Sequence, residues 1–151
     1  MTGFKGKYEY SIDTKGRLNL PAKMRKHMMP EANGTFVITR GMENCLYLYP
    51  LDTWSKVESE LREKLNVYRE EDRLFLRTLL MWAHEVTLDK QSRIMIPQEL
   101  LEFASLDSSI VIIGALDKIE LWAPAELEKY LGKFAEQSYE EVAARVMGGI
   151  E

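Results

Sequence analysis

Residues 8–20 read Tyr-Glu-Tyr-Ser-Ile-Asp-Thr-Lys-Gly-Arg-Leu-Asn-Leu, and a proline follows at position 21. Apolar and polar side chains alternate on both sides of Thr-Lys-Gly, a period of two that is typical of β-strands joined by a turn. The stretch therefore predicts a β-hairpin, with the two faces of each strand carrying different side chains. The inner face is expected to carry Tyr8, Tyr10, Ile12, Leu18 and Leu20, and the outer face Asp13, Arg17 and Asn19.

The same pattern returns at residues 86–104, which read Val-Thr-Leu-Asp-Lys-Gln-Ser-Arg-Ile-Met-Ile-Pro-Gln-Glu-Leu-Leu-Glu-Phe-Ala. Asp13, Arg17 and Pro21 recur there as Asp89, Arg93 and Pro97, each 76 positions later. Further along, the segment 36–38 corresponds to 110–112 and Pro50 to Pro124, with a spacing of 74. Four of the five prolines pair in this way, which indicates an internal duplication.

Each copy of the duplication predicts a ββαββ unit. The proline after the hairpin suits the first turn of a helix, and Pro30 with Asn33-Gly34 is expected to end that helix in the first copy. Strands are predicted at 35–40 and 45–49 around a turn at 41–44, and the equivalent turn of the second copy at 114–118. Such a unit would leave unpaired sheet edges, and the two copies can pair with each other.

The remaining segments predict helices. Residues 51–65 place Trp54, Val57, Leu61 and Leu65 on one face, with Asp52 or Thr53 able to cap the first turn. A second helix is expected from about 69 to 84, so apolar that it should be buried both under the two repeats and against another subunit. Further helices are expected from Pro124 and, with a capping box, from Ser138. The predicted division is 7–54 and 83–126 for the repeats, 55–82 for the connector and 127–151 for the C-terminal helices.

Length and composition favour one compact, pseudo-symmetric body of 151 residues. We expect a cytoplasmic protein, since no apolar run reaches the roughly 18 residues of a membrane span and the N-terminus lacks the apolar core of a signal peptide. Cys45 is expected to be a buried, unreactive thiol. His27 and His84 have no Cys or carboxylate cluster at ligand spacing, so no metal, cofactor or small-molecule ligand is indicated.

The charge is distributed unevenly along the chain, whose net charge is −4. Residues 1–27 contain seven basic and two acidic side chains, a net charge of +5, which leaves −9 for the remainder. This asymmetry predicts a positive potential concentrated on the first hairpin and its helix, as expected for a protein that presents one basic region to nucleic acid.

The segments Asp-Thr-Lys-Gly-Arg-Leu-Asn-Leu-Pro at 13–21 and Asp-Lys-Gln-Ser-Arg-Ile-Met-Ile-Pro at 89–97 closely resemble the MraZ family of bacterial transcriptional regulators. The duplication and the Leu-Tyr-Pro and Leu-Trp-Ala-Pro segments agree with it in order and spacing. The resemblance implies an α+β fold of two AbrB/SpoVT-like modules, forming a swapped-hairpin β-barrel with flanking helices. It also implies binding of double-stranded DNA, assembly into a ring of identical subunits, nucleoid association and control of the division and cell-wall gene cluster.

The two D-x-x-x-R motifs supply the candidate site residues. Asp13 has two interpretations that stay open: a turn residue that binds backbone amides and pairs with Arg17, or a member of a DNA-binding loop. Arg17 offers a planar fork of donors that fits phosphates and guanine edges. The predicted DNA-binding residues are Lys15, Arg17, Arg93, Lys23 and Arg25, and the predicted turn-structuring residues are Asp13, Gly16 and Asp89.

Two alternatives stay open for these residues. Lys15-Gly16 of the first copy is replaced by Gln91-Ser92 in the second, so both hairpins need not contact DNA equally. Lys23 and Arg25, on the predicted short helix, could instead form an ordinary solvated face.

The leading functional hypothesis is a transcriptional repressor that binds short tandem repeats, its own promoter included, through hairpins repeated around an assembly. An antitoxin-type or purely structural oligomer of the same fold is an alternative. A small-barrel enzyme is a weaker one, because the sequence has no G-x-S-x-G or H-E-x-x-H motif and no His beside Cys45. No catalytic residue is predicted.

Overall fold

The computed structural model describes residues 3–28 and 32–148, and within these ranges the chain forms eight strands and six helices. The strands are β1 (Lys7–Ser11), β2 (Arg17–Asn19), β3 (Thr35–Arg40), β4 (Leu46–Pro50), β5 (His84–Thr87), β6 (Arg93–Met95), β7 (Ser109–Ala115) and β8 (Lys118–Trp122). The helices are α1 (Ala22–Arg25), α2 (Leu51–Lys64), α3 (Glu70–Met81), α4 (Gln98–Phe103), α5 (Pro124–Gly132) and α6 (Tyr139–Gly148). Pro30, the predicted end of the first helix, lies outside the described residues.

The order of these elements confirms the duplication. Both copies run strand, strand, short helix, strand, strand, with α2 and α3 between them and α5 and α6 after the second. Pro21 and Pro97 immediately precede α1 and α4. A proline ring fixes φ near the helical value at a position where a backbone N–H is not needed, which explains why both helices begin there.

The pairing of strands joins the two copies. β1 pairs with β7, β5 pairs with β3, and β2 pairs with β6, all antiparallel and all between copies. The first hairpin is not self-contained: its two strands share the turn, where Asp13 donates its N–H to the Arg17 carbonyl at 3.0 Å, and one bridge between Ile12 and Leu18. Beyond the turn each strand takes its partner from the other copy. The swapped-hairpin arrangement implied by the family resemblance is confirmed.

These pairings produce a six-stranded sheet of order β1-β7-β8-β4-β3-β5 and a separate two-stranded ribbon of β2 and β6. In the described part of the chain the hydrogen bonds do not close the six strands into one continuous barrel. The two edge strands, β1 and β5, are the strands that continue through turns into β2 and β6. The ribbon is therefore carried by the edges of the sheet.

The core lies between the ribbon and the sheet. Leu18 and Ile94 are opposite each other in the ribbon and are both fully buried. They belong to one apolar cluster with sheet residues Phe36, Ile38, Leu46, Leu48, Ile110, Ile112, Ile119 and Leu121. Truncating a leucine in such a site to alanine costs about 2–5 kcal/mol.

Tyr10, predicted to face inward, is 37% exposed. It lies opposite buried Ile110, but β1 is an edge strand, which leaves its ring uncovered on the outer side.

Two details of the helices differ from the prediction. α2 begins directly after Pro50, and neither Asp52 nor Thr53 makes a capping hydrogen bond, since Pro50 supplies the helix start. α3 ends at Met81 rather than near 84, because His84 enters β5 opposite Ile38. The predicted cap of the last helix is present: Glu141 donates its N–H to Ser138 Oγ at 3.0 Å.

The apolar helix α3 is not enclosed by its own chain. It contains no buried residue; Leu74 is 63% and Met81 69% exposed. The expectation that the two repeats cover this helix is wrong, because α3 rests on β3 with one side and the ribbon lies elsewhere.

None of the helices in residues 3–28 and 32–148 is both long enough and apolar enough to span a bilayer.

Candidate nucleic-acid interface

The outer face of the ribbon brings the two copies of the motif together. In the ladder, Arg17 lies opposite Met95, Leu18 opposite Ile94, and Asn19 opposite Arg93. Because successive side chains alternate between faces and the central pair is buried, the other four side chains face outward. Arg17 and Arg93 are then diagonal neighbours across the ribbon, with Cα atoms about 7–8 Å apart. A pseudo-two-fold axis passes between Leu18 and Ile94.

The Asp13 carboxylate builds the first turn and orients Arg17. Its Oδ1 accepts the backbone N–H groups of Lys15 at 2.9 Å and Arg17 at 2.8 Å, and its Oδ2 accepts Arg17 Nε–H at 2.7 Å. These bonds favour the ionised carboxyl group. They lower the pKa of Asp13 below its ordinary value, with the Arg17 backbone amide as the largest cause.

The second turn repeats this geometry. Asp89 Oδ1 accepts the N–H groups of Gln91 at 2.8 Å and Arg93 at 3.0 Å, and Oδ2 accepts Arg93 Nε–H at 2.8 Å. The pKa of Asp89 is lowered for the same reason, again chiefly by the amide of the arginine. In both turns the aspartate occupies the Nε side of the guanidinium. Within the described residues, the Nη groups of both arginines make no hydrogen bond, so their outer edges remain available to a ligand.

The tips of the turns differ in their demand for glycine. Gly16 has φ +80° and Ser92 has φ +62°, and each donates its N–H to the carbonyl of the aspartate three residues earlier. A Cβ on Gly16 would lie 3.3 Å from both the Ile96 carbonyl oxygen and Leu101 Cδ1. The first turn therefore needs glycine for conformation and for space, while the second accommodates serine at the conformational cost alone.

The hairpin swap places α4 beside the first turn. The Gly16 carbonyl accepts the Ile96 N–H at 2.9 Å, and Leu101 of α4 packs against the same glycine. A groove of about 300 Å³ runs between this turn and α4. Its polar lining includes Asp13, Thr14, Gln98, Glu102 and Asp107. Basic Lys15 and Arg17 thus share their end of the ribbon with acidic side chains.

The equivalent contacts place α1 beside the second turn. Leu20 donates its N–H to the Ser92 carbonyl at 3.1 Å, and its own carbonyl accepts Arg25 Nε–H at 3.2 Å. Lys23 is exposed on the same short helix. The sequence led us to expect α1 and the first hairpin as one basic region. The swap separates them, so Lys23 and Arg25 accompany Arg93 rather than Arg17.

Sequence reasoning overlooked Lys90. It aligns with Thr14 of the first copy and not with Lys15, so comparison of the repeats gave no reason to choose it. It is exposed at the tip of the second turn, next to Gln91. The sequence signal that could have identified it is its position inside the second D-x-x-x-R motif, directly after Asp89.

A second surface, formed by α2 and α3, is apolar. A groove of about 180 Å³ between the two helices is lined by Leu61, Leu65, Val67, Leu76 and Leu80, with Glu58 and Arg62 at its rim. Leu74, Phe75 and Met81 are exposed on α3 beside it. Contiguous exposed apolar side chains of this kind are typical of surfaces that associate with another protein.

Comparison with known proteins gives a consistent result. A family model described as "MraZ protein, putative antitoxin-like" matches the chain twice, at residues 4–78 and 79–149. A protein named transcriptional regulator MraZ from Halothermothrix orenii is 43% identical over 141 residues, which is 93% of this chain and 94% of the relative. Proteins of the same name from Pelotomaculum thermopropionicum and Moorella thermoacetica are 40% and 38% identical over 144 residues, covering 95% of this chain and 95% and 96% of the relatives.

Proposed function

This chain belongs to the MraZ family, and on that premise we propose that it is a transcriptional regulator that binds specific sequences in double-stranded DNA. In this proposal it is not an enzyme. It is cytoplasmic and associates with the nucleoid. It binds short tandem repeats in DNA as a ring-like homo-oligomer. It represses the division and cell-wall gene cluster, its own promoter included. The observation that carries the proposal is that Arg17 and Arg93 lie as diagonal neighbours on the outer face of the β2–β6 ribbon, each held by an aspartate.

A two-stranded ribbon has the right size for the major groove of B-DNA, and its outward side chains can reach the base edges. Arginine is suited to guanine because its parallel N–H groups match the O6 and N7 acceptors. Arg17 and Arg93 enter this role already oriented, since the Nε of each is held by an aspartate. Fixing a long side chain before binding reduces the conformational entropy that complex formation must overcome.

The other basic residues of the candidate site contribute to affinity and not to sequence reading. Lys15 is exposed at the first turn, and Lys23 and Arg25 flank the buried Met24 on α1. In the proposal they contact phosphates, which fix the register of the ribbon and add salt-dependent affinity without reading sequence. Asp13, Gly16 and Asp89 hold the turns and do not touch DNA.

Assembly compensates for the small size of one ribbon. Each subunit offers few base contacts, whereas linked subunits bind successive sites as an effectively intramolecular event. The exposed side chains of α3 support self-association, since burying Leu74, Leu80 and Met81 against a second copy would remove a large apolar area from water. A target made of repeated short sites is the DNA counterpart of such an assembly.

Binding-site selection from random duplex DNA tests the proposal. We expect the selected duplexes to contain a short guanine-containing site repeated in tandem, and Arg17→Ala to recover no such site. Lys133→Ala, in an exposed segment away from the ribbon, is the matched control and should select the wild-type sequence. Recovery of no sequence by the wild type would favour an antitoxin-type or structural oligomer instead.

A further inference from the structure

The outer face of the ribbon carries two side chains that do not belong to the aspartate–arginine motifs. Asn19 follows Arg17 by two positions and Met95 follows Arg93 by two positions, so they occupy equivalent places in the two repeats. Both side chains are exposed, Met95 to 55%. The residue between each of them and its arginine is buried. The outward side chains of the ladder are therefore two arginines, one asparagine and one methionine.

Neither Asn19 nor Met95 has a contact within the chain that explains its position. Within the described residues, the side-chain amide of Asn19 makes no hydrogen bond, unlike the arginines beside it. Met95 lies outside the apolar core, although Ile94 and Ile96 on either side of it are buried there. A free amide and an exposed apolar side chain are thus available to a ligand that covers the ribbon.

We propose that Asn19 and Met95 determine which bases the ribbon prefers: Asn19 recognises adenine, and Met95 contacts the methyl group of thymine. This inference rests on the proposed function and names bases of its target beyond the guanines assigned to the arginines. In the major groove an asparagine amide matches the N6 donor and the N7 acceptor of adenine. An apolar side chain finds its favourable contact there with the C5-methyl group of thymine.

The register of the ribbon pairs each of these side chains with one arginine. Met95 lies opposite Arg17, and Asn19 lies opposite Arg93. Opposite side chains on one face of an antiparallel pair have Cβ atoms about 4.5–5.5 Å apart. This separation lies between one and two base-pair steps of about 3.4 Å each. Each pair can therefore contact neighbouring base pairs, one pair at guanine and thymine and the other at guanine and adenine.

The difference between the two pairs makes the target asymmetric. A ribbon with identical halves would favour a palindromic site, since the two-fold axis of the protein would coincide with that of the duplex. The arginines preserve this symmetry, whereas Asn19 and Met95 break it. A palindrome would present the same base to both of them, but one prefers adenine and the other thymine. The site bound by one ribbon should therefore be non-palindromic.

Base analogues test the two contacts on a duplex obtained by binding-site selection, with fluorescence anisotropy as the measurement. Replacing one adenine by 7-deazaadenine removes the N7 acceptor, and replacing one thymine by deoxyuridine removes the methyl group. For the wild type we expect one adenine position at which the analogue weakens binding about fivefold. We expect one thymine position at which deoxyuridine weakens binding about fourfold. Asn19→Ala should lose sensitivity to the first analogue alone, and Met95→Ala to the second alone.

Asn44→Ala and Met42→Ala are the matched controls, because both residues are exposed in the turn between β3 and β4, outside the ribbon. They should keep the sensitivity of the wild type to both analogues. Asn19 and Met95 variants that stay as sensitive as the wild type would overturn the inference. So would variants that lose affinity for every duplex by the same factor, which is the behaviour of a phosphate contact.

The selected sequence supplies a further criterion. A palindromic site, or wild-type binding that neither analogue weakens at any position, would overturn the inference and leave the proposed function in place. A wild-type protein that shows no preference for any duplex would overturn both.

Discussion

The backbone amide of Leu20 donates to the carbonyl of Ser92 at 3.1 Å, and the amide of Ile96 donates to the carbonyl of Gly16 at 2.9 Å. Each strand of the ribbon is thus completed by the turn of the other repeat. The half-buried, outward-facing arginines Arg17 and Arg93 lie between these two hydrogen bonds, so their spacing depends on both repeats being folded together. A change in either turn is expected to affect the whole ribbon, and the two turns offer matched positions at which this can be measured.

Gly16→Ala should destabilise the protein by about 1–3 kcal/mol, because the new Cβ meets a carbonyl oxygen and a leucine methyl group at a positive φ. Ser92→Gly should be stabilising or neutral, within about 1 kcal/mol, since the serine already holds a left-handed conformation that glycine adopts without strain. Urea unfolding of the two variants measures the difference. Equal effects at both positions would contradict the different packing of the two tips.

Arg17→Ala should abolish specific DNA binding and leave thermal stability almost unchanged. The turn persists because Asp13 keeps its bonds to the backbone amides of residues 15 and 17. Loss of one bidentate base contact costs about 1–3 kcal/mol per engaged subunit. Fluorescence anisotropy and a thermal melt measure the two effects. A large fall in melting temperature would show that the Asp13–Arg17 pair mainly holds the turn, and Arg17→Lys tests whether charge alone restores binding.

The ion pairs of Asp13 with Arg17 and of Asp89 with Arg93 predict that the protein loses stability at acidic pH. The pKa values of Asp13 and Asp89 are lower in the folded protein than the ordinary 3.8, so the unfolded chain binds more protons at acidic pH. Their contribution is complete above the unfolded pKa and is lost as pH falls through the folded pKa. Melting temperature should therefore fall between about pH 5 and pH 2, and less steeply in an Asp13→Asn, Asp89→Asn double variant. Parallel curves for the two proteins would mean that other carboxyl groups dominate the acid transition.

The sequence predicts the repeats, their strands and the outward face of the ribbon, but not the strand partners. Alternation from Tyr8 to Leu20 specifies which face of a strand is buried, and it carries no information on which neighbour supplies the hydrogen bonds. For that reason the alternation alone predicts a hairpin without identifying the partners of its strands, and the swap follows from family resemblance. The same limit explains why the sequence groups α1 with Lys15. Its neighbour in space is the turn that contains Lys90, 67 positions after Lys23 in the chain.

The exposed side chains of α3 predict that the protein in solution is much larger than its chain mass of 17.5 kDa. Light scattering should detect a homo-oligomer at micromolar concentration, and Leu74→Glu should reduce its mass, since a charge buried in an apolar interface is costly. Circular dichroism of Leu74→Glu should match the wild type, because Leu74 is 63% exposed in the single chain. A wild-type monomer would remove the basis for multivalent binding.

Salt dependence connects the ribbon to the assembly. Despite a net charge of −4, DNA affinity should fall steeply with salt, because in the proposed complex the basic turns face the duplex and the acidic remainder faces away. With about 0.9 counterions released per phosphate, four engaged subunits that each neutralise two phosphates give a log–log slope of roughly −7. Lys15→Ala removes one phosphate-binding group from every engaged subunit, so it should make the slope less steep by several units, whereas Lys133→Ala should leave it unchanged. A change of about one unit would mean that a single ribbon engages the site, because the slope reports how many phosphates the whole complex neutralises. In that case repeated hairpins could not be the source of affinity.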